Sequence, residues 1–515
     1  MRGAKKTALI VLDGWGIGMP WGGNAIMQAR TPNIDLWWRR YPHSKLQASG
    51  EAVGLPSGTS GNSETGHLNL GAGRIIPQDL PFINRAIKNG DFFKNKEIIS
   101  CFQHVKKHKS TLHIMGLVGG GHVHSDLDHL FALLKMAKDN GIDTVYLNLF
   151  TDGRDSDPNS ALSVVEKISK RIIDIGVGRI TSIIGRSFSM DRNNNWGKTS
   201  RAYNALTLGH AEIAKNPREC ISGFYLRNIS DEFIEPTLIS DDGVDKYLIK
   251  DNDGLIFFNF RPDRSRQISR AFSNEKINEM PDRKILNNLF FVTFVTRDPK
   301  VYGRQAFIPP EIKNSLSEVF YFNKLKQLHV SETEKYAHVT YFFNGGREQP
   351  WPGEVQYLIP SPKVPTYDYA PRMSADSISR FVVRNISKNY DFIIINFANG
   401  DMVGHSGNYY ATVQAIEAVD ENLGIVVNAL LHHNYTIFIV ADHGNAEDML
   451  NPKSNQPYTE HSSNPVPFIV LSKELEIARL RLIDGALCDV APTILSIMQI
   501  PIPTEMTGKK LISTI

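Results

Sequence analysis

The chain has 515 residues, of which 41% are hydrophobic and 22% charged. Its 57 Lys and Arg residues and 54 Asp and Glu residues leave a formal net charge of +3. These values exclude a disordered, collagen-like or coiled-coil chain, and so small a net charge gives no general attraction to nucleic acid or to anionic membranes. The length suggests about two to four domains.

The three cysteines, Cys101, Cys220 and Cys488, are far apart in the sequence and form no CxxC pair. This spacing argues against a disulfide scaffold and against a thiolate metal site. The apolar run Ala8–Leu12 is too short for a signal peptide, and no apolar stretch approaches the roughly 18 residues of a membrane span. We therefore expect a cytoplasmic, soluble protein with no membrane or nucleic-acid partner.

Short apolar runs recur along the chain, and most are rich in β-branched or aromatic residues, as in strands buried on both faces. In chain order the runs are Ala8–Leu12, Leu112–Leu117, Thr144–Phe150, Ile180–Ile184, Leu255–Phe260, Phe392–Phe397 and Thr436–Ala441. Between two of them, apolar residues at helical spacing predict a helix from Leu127 to Ala137, capped by Ser125 or Asp126 and ended by Gly141. The alternation predicts an α/β fold with parallel strands.

Charged residues follow most of these runs, at the strand ends where open α/β sheets place their ligand sites. The ends near residues 1–75 and 390–465 carry Asp and His, whereas those between about 118 and 270 carry mainly Arg. Two kinds of site suggest one domain inserted into another. We predict a discontinuous outer domain of residues 1–76 plus 311–515 and an inner domain of residues 77–310.

The Asp and His residues of the outer domain have the character of metal ligands. Asp401 and His405 are four residues apart, so a helix would place them on one face. Adjacent Asp442 and His443 can share a centre only where a strand breaks into a loop. The set is completed by Asp13 and His461, and it suffices for two divalent ions with open positions. Mixed oxygen and nitrogen ligands suit Mn²⁺, Zn²⁺, Co²⁺ or Mg²⁺, with three imidazoles disfavouring Mg²⁺ alone.

Ser63 lies in the segment SGTSGNSETGH, where glycines allow its backbone to approach a ligand closely. A metal-bound serine is deprotonated more easily and can serve as a nucleophile, and a pair of metal ions suits phosphoryl transfer. Each residue taken alone has a structural alternative: Ser63 and Asp13 as helix caps or turn residues, and His461 as an ordinary histidine. Their joint occurrence at successive strand ends favours the functional interpretation.

A second group of residues follows four predicted strands of the inner domain and consists of His124, Arg154, Arg186, Arg192, Arg261 and Arg264. The planar guanidinium binds phosphate or carboxylate with two hydrogen bonds. The alternative is an ion-pair network, with Asp155 and Asp263 as partners. No P-loop lysine follows the three glycines at 119–121, which argues against an ATP-driven kinase. Lys335, in SETEKY, is either a surface lysine or a group that balances charge on a transferring phosphoryl group.

Many segments in order along the chain carry a family resemblance. They are VLDGWGIG, GEAVGLP, GNSETGHLNLGAGR, TDGRD, MDR, FFNFRPDR, ETEKYAHVTYFFNGG, SPKVPTYD, DMVGHSG, EAVDENLG, ADHGNAED, SNPVPF and DVAPTIL. With these segments the chain resembles the cofactor-independent phosphoglycerate mutases of the alkaline phosphatase superfamily, over nearly its whole length. The resemblance implies an alkaline-phosphatase-like domain with an inserted α/β phosphotransferase domain.

The resemblance also implies a reaction and its residues. The reaction is the interconversion of 2-phosphoglycerate and 3-phosphoglycerate without 2,3-bisphosphoglycerate, through a phosphoserine at Ser63. One metal ion is expected on Asp401, His405 and His461, and the other on Asp13, Ser63, Asp442 and His443. The residues expected to bind substrate are His124, Arg154, Asp155, Arg186, Arg192, Arg261, Arg264 and Lys335. Bacterial members commonly use Mn²⁺ and are monomeric, so we expect two Mn²⁺ ions and a monomer.

The chain departs from the family pattern at Asp126, at Ser187–Phe188, at Asn193–Asn195 and at Gly400. None of these departures removes an expected metal ligand or the nucleophile. The alternative function is a metal-dependent phosphatase or phosphodiesterase, which shares the Asp and His set but has less need of the arginines.

Overall fold

The computed structural model describes residues 5–241, 243, 247–273, 276–296, 298–309, 311–451, 454, 456–474 and 480–514. The chain divides into two compact units. The outer unit comprises Met1–Gln78 and Pro310–Ile515, and the inner unit comprises Asp79–Pro309. Each unit is built around its own sheet.

The strands, in chain order, are β1 (Thr7–Leu12), β2 (His43–Gln47), β3 (Leu112–Val118), β4 (Val145–Thr151), β5 (Arg179–Gly185), β6 (Glu212–Ala214), β7 (Thr237–Ile239), β8 (Gly254–Phe257), β9 (Phe290–Thr293), β10 (Arg304–Gln305), β11 (Gln327–Glu332), β12 (Glu354–Ile359), β13 (Phe392–Phe397), β14 (Thr436–Val440), β15 (Val466–Leu471), β16 (Leu480–Leu482), β17 (Gly485–Ala486) and β18 (Ile512–Thr514).

The α-helices are α1 (Ala25–Gln28), α2 (Pro32–Arg40), α3 (Ser63–Ala72), α4 (Asp79–Asn89), α5 (Lys96–His108), α6 (Leu127–Asp139), α7 (Ala161–Ile175), α8 (Arg186–Ser189), α9 (Trp196–Leu208), α10 (Pro217–Leu226), α11 (Arg266–Phe272), α12 (Leu316–Phe322), α13 (Ala375–Asn385), α14 (Asn399–Gly404), α15 (Tyr409–His432) and α16 (Val490–Met498). A π-helical turn spans His338–Phe342.

The sheet of the outer unit has the order β12-β11-β13-β1-β14-β15-β2-β17. Its centre is parallel: β1 pairs with β13 on one side and with β14 on the other. Every residue of β1 is buried, as its uninterrupted apolar sequence requires of a strand covered on both faces. Strand β15 pairs antiparallel with both β14 and β2, so the sheet as a whole is mixed.

The sheet of the inner unit has the order β10-β9-β8-β3-β4-β5-β7-β6. Strands β3, β4, β5, β8, β9 and β10 pair in parallel, and β7 pairs antiparallel with β5. One apolar core of this unit contains residues of its strands and of the helices α5, α6 and α7, and a second contains residues of its strands and of α9 and α11.

All seven predicted strands are present, and the α/β class is confirmed, although both sheets are mixed rather than purely parallel. The predicted run to Phe260 ends earlier, since β8 stops at Phe257 and the Phe260 N–H donates to the His124 carbonyl instead of continuing the ladder. The predicted helix is α6, whose N-cap is Asp126 rather than Ser125. In the described part of the chain, no helix combines the length and the hydropathy of a membrane span.

Candidate active site

The Asp and His residues of the outer unit lie at the carboxyl ends of three adjacent central strands. Asp13 follows β1, the helix α14 with Asp401 follows β13, and Asp442 follows β14. Because parallel strands end at the same edge, these side chains meet there. The chain leaves β14 at Val440, so Asp442 and His443 lie in a loop where neighbouring side chains can point to one centre.

Ser63 is the first residue of α3, and its side chain is buried. The Asn62 side chain caps this helix by accepting a hydrogen bond from the Thr65 N–H. The Ser63 Oγ lies 2.6 Å from Nζ of Lys335, 2.9 Å from Nε2 of His443 and 3.2 Å from Oδ1 of Asp13. The hydroxyl is therefore surrounded by groups that can accept its proton and stabilise the alkoxide.

His405, His461 and Asp401 form a cluster in which three acceptor atoms converge. Nδ1 of His405 donates to the Thr459 carbonyl and Nδ1 of His461 donates to the Gly61 carbonyl, both at 2.8 Å. In the neutral rings each Nε2 then has no proton and carries a lone pair. These two Nε2 atoms are 3.0 Å apart, and Oδ1 of Asp401 is 3.3 and 3.0 Å from them.

Three acceptors this close repel one another unless a proton or a metal cation lies between them. The hydrogen bond with Asp401 raises the pKa of His405 in spite of its partial burial, so this position favours positive charge. The backbone carbonyls fix the tautomers and aim the Nε2 lone pairs inward, as hydrogen-bond partners behind metal-binding histidines do. The cluster thus fits a divalent cation.

A second cluster surrounds Asp13 and Asp442. Nε2 of His443 lies 3.5 Å from Oδ1 of Asp13 and 3.5 Å from Oδ2 of Asp442. Asp442 is fully buried, and its Oδ2 accepts no hydrogen bond from the described residues. An ionised oxygen buried without a donor is costly, so this cluster also fits a cation.

His67, one helical turn after Ser63, joins this cluster, with Nδ1 3.3 Å from Oδ2 of Asp442. Ligand atoms of Asp13, His67 and Asp442 lie within 4.8 Å of one another, as do those of Asp401, His443 and His461. Both ring nitrogens of His67 are already engaged, however: Nδ1 donates to the Ser63 carbonyl at 2.9 Å and Nε2 accepts from Asn396 at 3.1 Å. His67 therefore fixes the start of α3 and the side chain of Asn396.

Lys335 is buried among these carboxylates, with Nζ 2.7 Å from Asp13 and 2.7 Å from Asp401. Burial alone would lower the pKa of Lys335, but the charges of Asp13 and Asp401 raise it. Burial conversely raises the pKa of Asp13, but the charge of Lys335 and the hydrogen bond with His443 together outweigh burial and lower it. Three buried carboxyl groups, those of Asp13, Asp401 and Asp442, therefore lie around this ammonium, and this excess of oxygen ligands favours a cation.

His443 is protonated in the metal-free protein at neutral pH. Burial lowers its pKa, but the carboxylates of Asp442, Asp13 and Asp401 outweigh burial and raise it to about 10. Its Nδ1 lies 3.2 Å from the Gly444 carbonyl, and Nε2 is the atom that faces Ser63.

Glu332, at the end of β11 and three residues before Lys335, is fully buried. It accepts hydrogen bonds from the Ser361 hydroxyl at 2.8 Å and from the Ser374 N–H at 3.3 Å. Burial raises its pKa to about 7. Its carboxyl therefore joins β11 to the segment that leads into α13.

We expect this carboxyl to make stability fall as pH rises. Its pKa of about 7 in the folded protein lies above the ordinary 4.5, so the folded state binds the proton more tightly than the unfolded state does. The free energy of unfolding therefore falls by up to about 3 kcal/mol as the pH rises from 4.5 to 7. Glu332→Gln should raise Tm relative to wild type at pH 8 and have little effect at pH 4.5. The exposed Glu348→Gln is the control, and equal Tm differences at both pH values would contradict the expectation.

The inner unit places the predicted anion-binding residues near one another. Arg186 is buried, and its Nη1 forms ion pairs with Asp152 and, at 2.6 Å, with Asp155. His124 is also buried, with Nε2 3.5 Å from Asp155 and Nδ1 3.6 Å from Asp263. Burial, and then the charge of Arg186, lower the pKa of His124 to about 4, so at pH 7 it is a neutral hydrogen-bonding group.

The guanidinium groups at the edge of this cluster are half-exposed and only loosely paired. Arg261 and Arg192 share Asp263 at 3.2 and 3.4 Å, and Arg154 lies 3.6 Å from Glu232. Burial lowers the pKa of Arg264, and repulsion from Arg186, Arg192 and Arg154 lowers it further. Converging positive charge of this kind favours binding of an anion. These residues, with His124 and Asp155, are called the arginine cluster below.

The departures from the family pattern occupy structural positions. Asp126 caps α6 by accepting from the Asp128 N–H, and it also contacts His122 at 2.8 Å. Asn195 caps α9. A Cβ at Gly400 would lie 2.7 Å from the Asp13 carbonyl oxygen, so this position is tightly packed against the start of the site.

Sequence reasoning did not select His67, Asp152 or the side chains behind the ligands. Two of these had a readable signal: His67 follows Ser63 at the i+4 spacing of a helix, and Asp152 lies in the TDGRD segment. Asn396, which donates to Asp13 at 2.8 Å, and Asn445, which donates to Asp401 at 3.1 Å, had none.

Comparison with known proteins identifies the family. The profile of the metalloenzyme superfamily matches residues 5–502, in agreement with the predicted alkaline-phosphatase-like fold. The 2,3-bisphosphoglycerate-independent phosphoglycerate mutase of Moorella thermoacetica is 48% identical over 99% of this chain and 98% of its own, and that of Clostridioides difficile is 47% identical over 99% of each.

A crystal structure of Leishmania mexicana phosphoglycerate mutase at low cobalt concentration superposes with a TM-score of 0.67 and 29% identity, covering 99% of this chain and 98% of that one. Similarity of this extent spans both units and every residue of the candidate site. The chain therefore belongs to the 2,3-bisphosphoglycerate-independent phosphoglycerate mutase family of the metalloenzyme superfamily.

Proposed function

We propose that the protein interconverts 2-phosphoglycerate and 3-phosphoglycerate, without 2,3-bisphosphoglycerate, through a phosphoserine at Ser63. The observation that carries the proposal is the environment of the Ser63 Oγ, which lies 2.6–3.2 Å from Lys335, His443 and Asp13. The relatives that match this chain over nearly their full length are named 2,3-bisphosphoglycerate-independent phosphoglycerate mutases.

Two divalent metal ions are part of the proposal. Asp401, His405 and His461 would hold one, and Asp13, Ser63, Asp442 and His443 the other. The inward-facing Nε2 lone pairs and the buried Oδ2 of Asp442 support this assignment. When bound, such ions supply Lewis-acid stabilisation of the attacking and leaving oxygens. The ligand set suits Mn²⁺, which we propose as the ion. Cobalt, present at low concentration in the Leishmania mexicana mutase structure, takes the same kinds of ligand.

The protein's own residues prepare the serine for attack. The Ser63 hydroxyl donates to Oδ1 of Asp13, which would take its proton, and the Lys335 ammonium would stabilise the alkoxide. The Oγ–P bond forms as the substrate's ester P–O bond breaks, and the proton taken from Ser63 passes to the released alkoxide. The other hydroxyl of the bound glycerate then attacks the phosphorus, and the Oγ–P bond breaks. The proton of that hydroxyl passes to the Ser63 Oγ, which restores the serine.

The arginine cluster would bind the carboxylate and phosphate of phosphoglycerate, with planar guanidinium groups matched to both. On this proposal the discontinuous domain, predicted as 1–76 plus 311–515, carries the metals, and the domain 77–310 binds the substrate. Neutral His124 would serve as an uncharged hydrogen-bonding partner there.

The direct test is an enolase-coupled assay on 3-phosphoglycerate with no 2,3-bisphosphoglycerate added. EDTA treatment should abolish turnover, and added Mn²⁺ should restore it. Release of inorganic phosphate in place of isomerisation would instead assign the protein as a phosphatase.

Arg261→Ala separates the two reactions within one protein. Because Arg261 belongs to the arginine cluster, we expect its loss to lower kcat/KM for 3-phosphoglycerate about 100-fold, since a hydrogen bond to a charged group contributes about 1.5–3 kcal/mol. Hydrolysis of a generic aryl phosphate, which has no carboxylate to hold, should change little. Arg218→Ala, on the surface of the inner unit, is the control. Equal loss of both reactions in Arg261→Ala would argue against a substrate-binding role.

We further propose a monomer that acts in the cytoplasm. The support is indirect: all three cysteines are buried and free, as in proteins of a reducing compartment. Light scattering after gel filtration would measure the mass, and a dimer mass at micromolar concentration would contradict the monomer.

A further inference from the structure

Glu447, in the segment ADHGNAED, is a buried carboxylate that the proposed reaction does not use. Its two oxygens accept hydrogen bonds from three separate segments of the outer unit. The donors are the Gly16 N–H at 3.0 Å, the Asn445 N–H at 2.9 Å, the Ser462 hydroxyl and the Asn464 side-chain amide at 3.0 Å. In the described part of the chain it forms no ion pair, so these four donors satisfy its charge.

Each of the three segments carries a proposed metal ligand. Gly16 is three residues after Asp13, Asn445 is two residues after His443, and Ser462 directly follows His461. These segments follow different strands or precede β15, and they are up to about 450 residues apart in the sequence. One carboxylate therefore links the loops from which ligands of both proposed ions project.

The surrounding glycines provide an independent sign that this carboxylate is built into the site. A Cβ at Gly16 or at Gly444 would overlap the Glu447 carboxyl group, and a Cβ at Gly18 would lie 2.8 Å from its Cγ. Glycine at these three positions lets backbone N–H groups approach the carboxylate. The segments VLDGWGIG and ADHG are thus shaped around the Glu447 side chain.

We infer that Glu447 is a positioning residue that sets the separation of the three ligand-bearing loops. The inference rests on the proposed metal site and adds a determinant of its metal affinity. Four hydrogen bonds to one buried anion hold the loops at fixed distances, because moving any loop leaves a buried oxygen or donor unsatisfied. Outer partners of this kind typically change metal affinity about 10- to 100-fold when they are lost.

The test measures Co²⁺ affinity of the EDTA-treated full-length protein by the visible absorption of the bound ion. Glu447→Asp keeps the charge and shortens the reach, so we expect a weaker Co²⁺ affinity, by about 10- to 100-fold, and an altered spectrum. Glu447→Gln keeps the side-chain length and one acceptor oxygen for the two backbone N–H groups, so the decrease in Co²⁺ affinity should be smaller. A larger loss in the Gln variant than in the Asp variant would assign the effect to charge and overturn the inference.

Asp420→Glu is the matched control, since Asp420 is equally buried but accepts from the Asn33 and Ile34 N–H groups at the start of α2. We expect it to lower Tm and leave Co²⁺ affinity unchanged. Wild-type affinity in Glu447→Asp, or equal loss in Asp420→Glu, would refute the role of Glu447. If Glu447→Asp does not fold, Asn464→Ala is measured in its place. A weaker Co²⁺ affinity of that variant would support the role of Glu447, and an unchanged affinity would contradict it. Failure of the wild type to bind Co²⁺ would instead refute the proposed metal site.

Discussion

Ser63→Ala should reduce kcat for isomerisation by at least about 10⁴-fold, because loss of a nucleophile in such a site removes about 10⁴- to 10⁶-fold of rate. No other described hydroxyl oxygen lies within hydrogen-bond distance of both Lys335 and His443. The measurement is the enolase-coupled assay, together with mass spectrometry of protein mixed with substrate, which should detect the added phosphate on the wild type and not on the variant.

Metal binding separates this result from a general disruption of the site. One of the two proposed metal sites does not include the Ser63 hydroxyl, since its ligands are Asp401, His405 and His461. The Ser63→Ala protein should therefore still bind at least one Mn²⁺ and retain the wild-type Tm. Ser57→Ala, an exposed serine before the same helix, should keep full activity. Turnover near the wild-type rate in Ser63→Ala would remove the serine from the mechanism.

Lys335→Met should lower both stability and rate. Its ammonium is buried against Asp13 and Asp401, and removing one partner of a buried ionic group costs about 3–5 kcal/mol. That loss should appear in the metal-free protein and shrink when Mn²⁺ replaces the missing charge. A further drop in kcat of about 10²- to 10³-fold is expected, because the ammonium also contacts the Ser63 Oγ at 2.6 Å.

Chemical unfolding with and without Mn²⁺ measures the first effect, and the coupled assay under saturating Mn²⁺ measures the second. Lys135→Met is the control, since its ion pair with Asp139 is exposed and worth at most about 1 kcal/mol. If metal-free Lys335→Met unfolds like the wild type, the ammonium does not balance the buried carboxylates.

The sequence predicts well those elements whose burial can be read from the strand itself. Strands such as β1 and β13 are uninterrupted apolar runs, and their bounds agree within one residue with prediction. By contrast, β11 reads QLHVSE and is fully buried. Polar side chains of this strand find partners outside it, as Glu332 does in Ser361 and Ser374, so nothing local indicates a buried strand.

The candidate site divides in the same way. The groups that follow apolar strands, such as Asp13 and Asp442, can be selected from position alone, because strand ends of an α/β sheet converge. The groups that hold them, such as Asn396 and Glu447, act across more than 380 residues of sequence. Their role depends on which strands become neighbours, and spacing along the chain does not contain that information.

The place of β1 in its sheet has a consequence for how the chain is made. Its partners β13 and β14 both come much later, and Thr7 pairs with Phe392, 385 residues further on. At a synthesis rate of about 5–20 residues per second, β1 waits roughly 20–80 s for its first neighbour. Meanwhile the inner unit, whose sheet partners all lie within Asp79–Pro309, emerges complete. Ribosome-bound chains ending near residue 350, long enough to place the whole inner unit outside the ribosome, should therefore contain a protease-resistant inner unit and a protease-sensitive amino terminus.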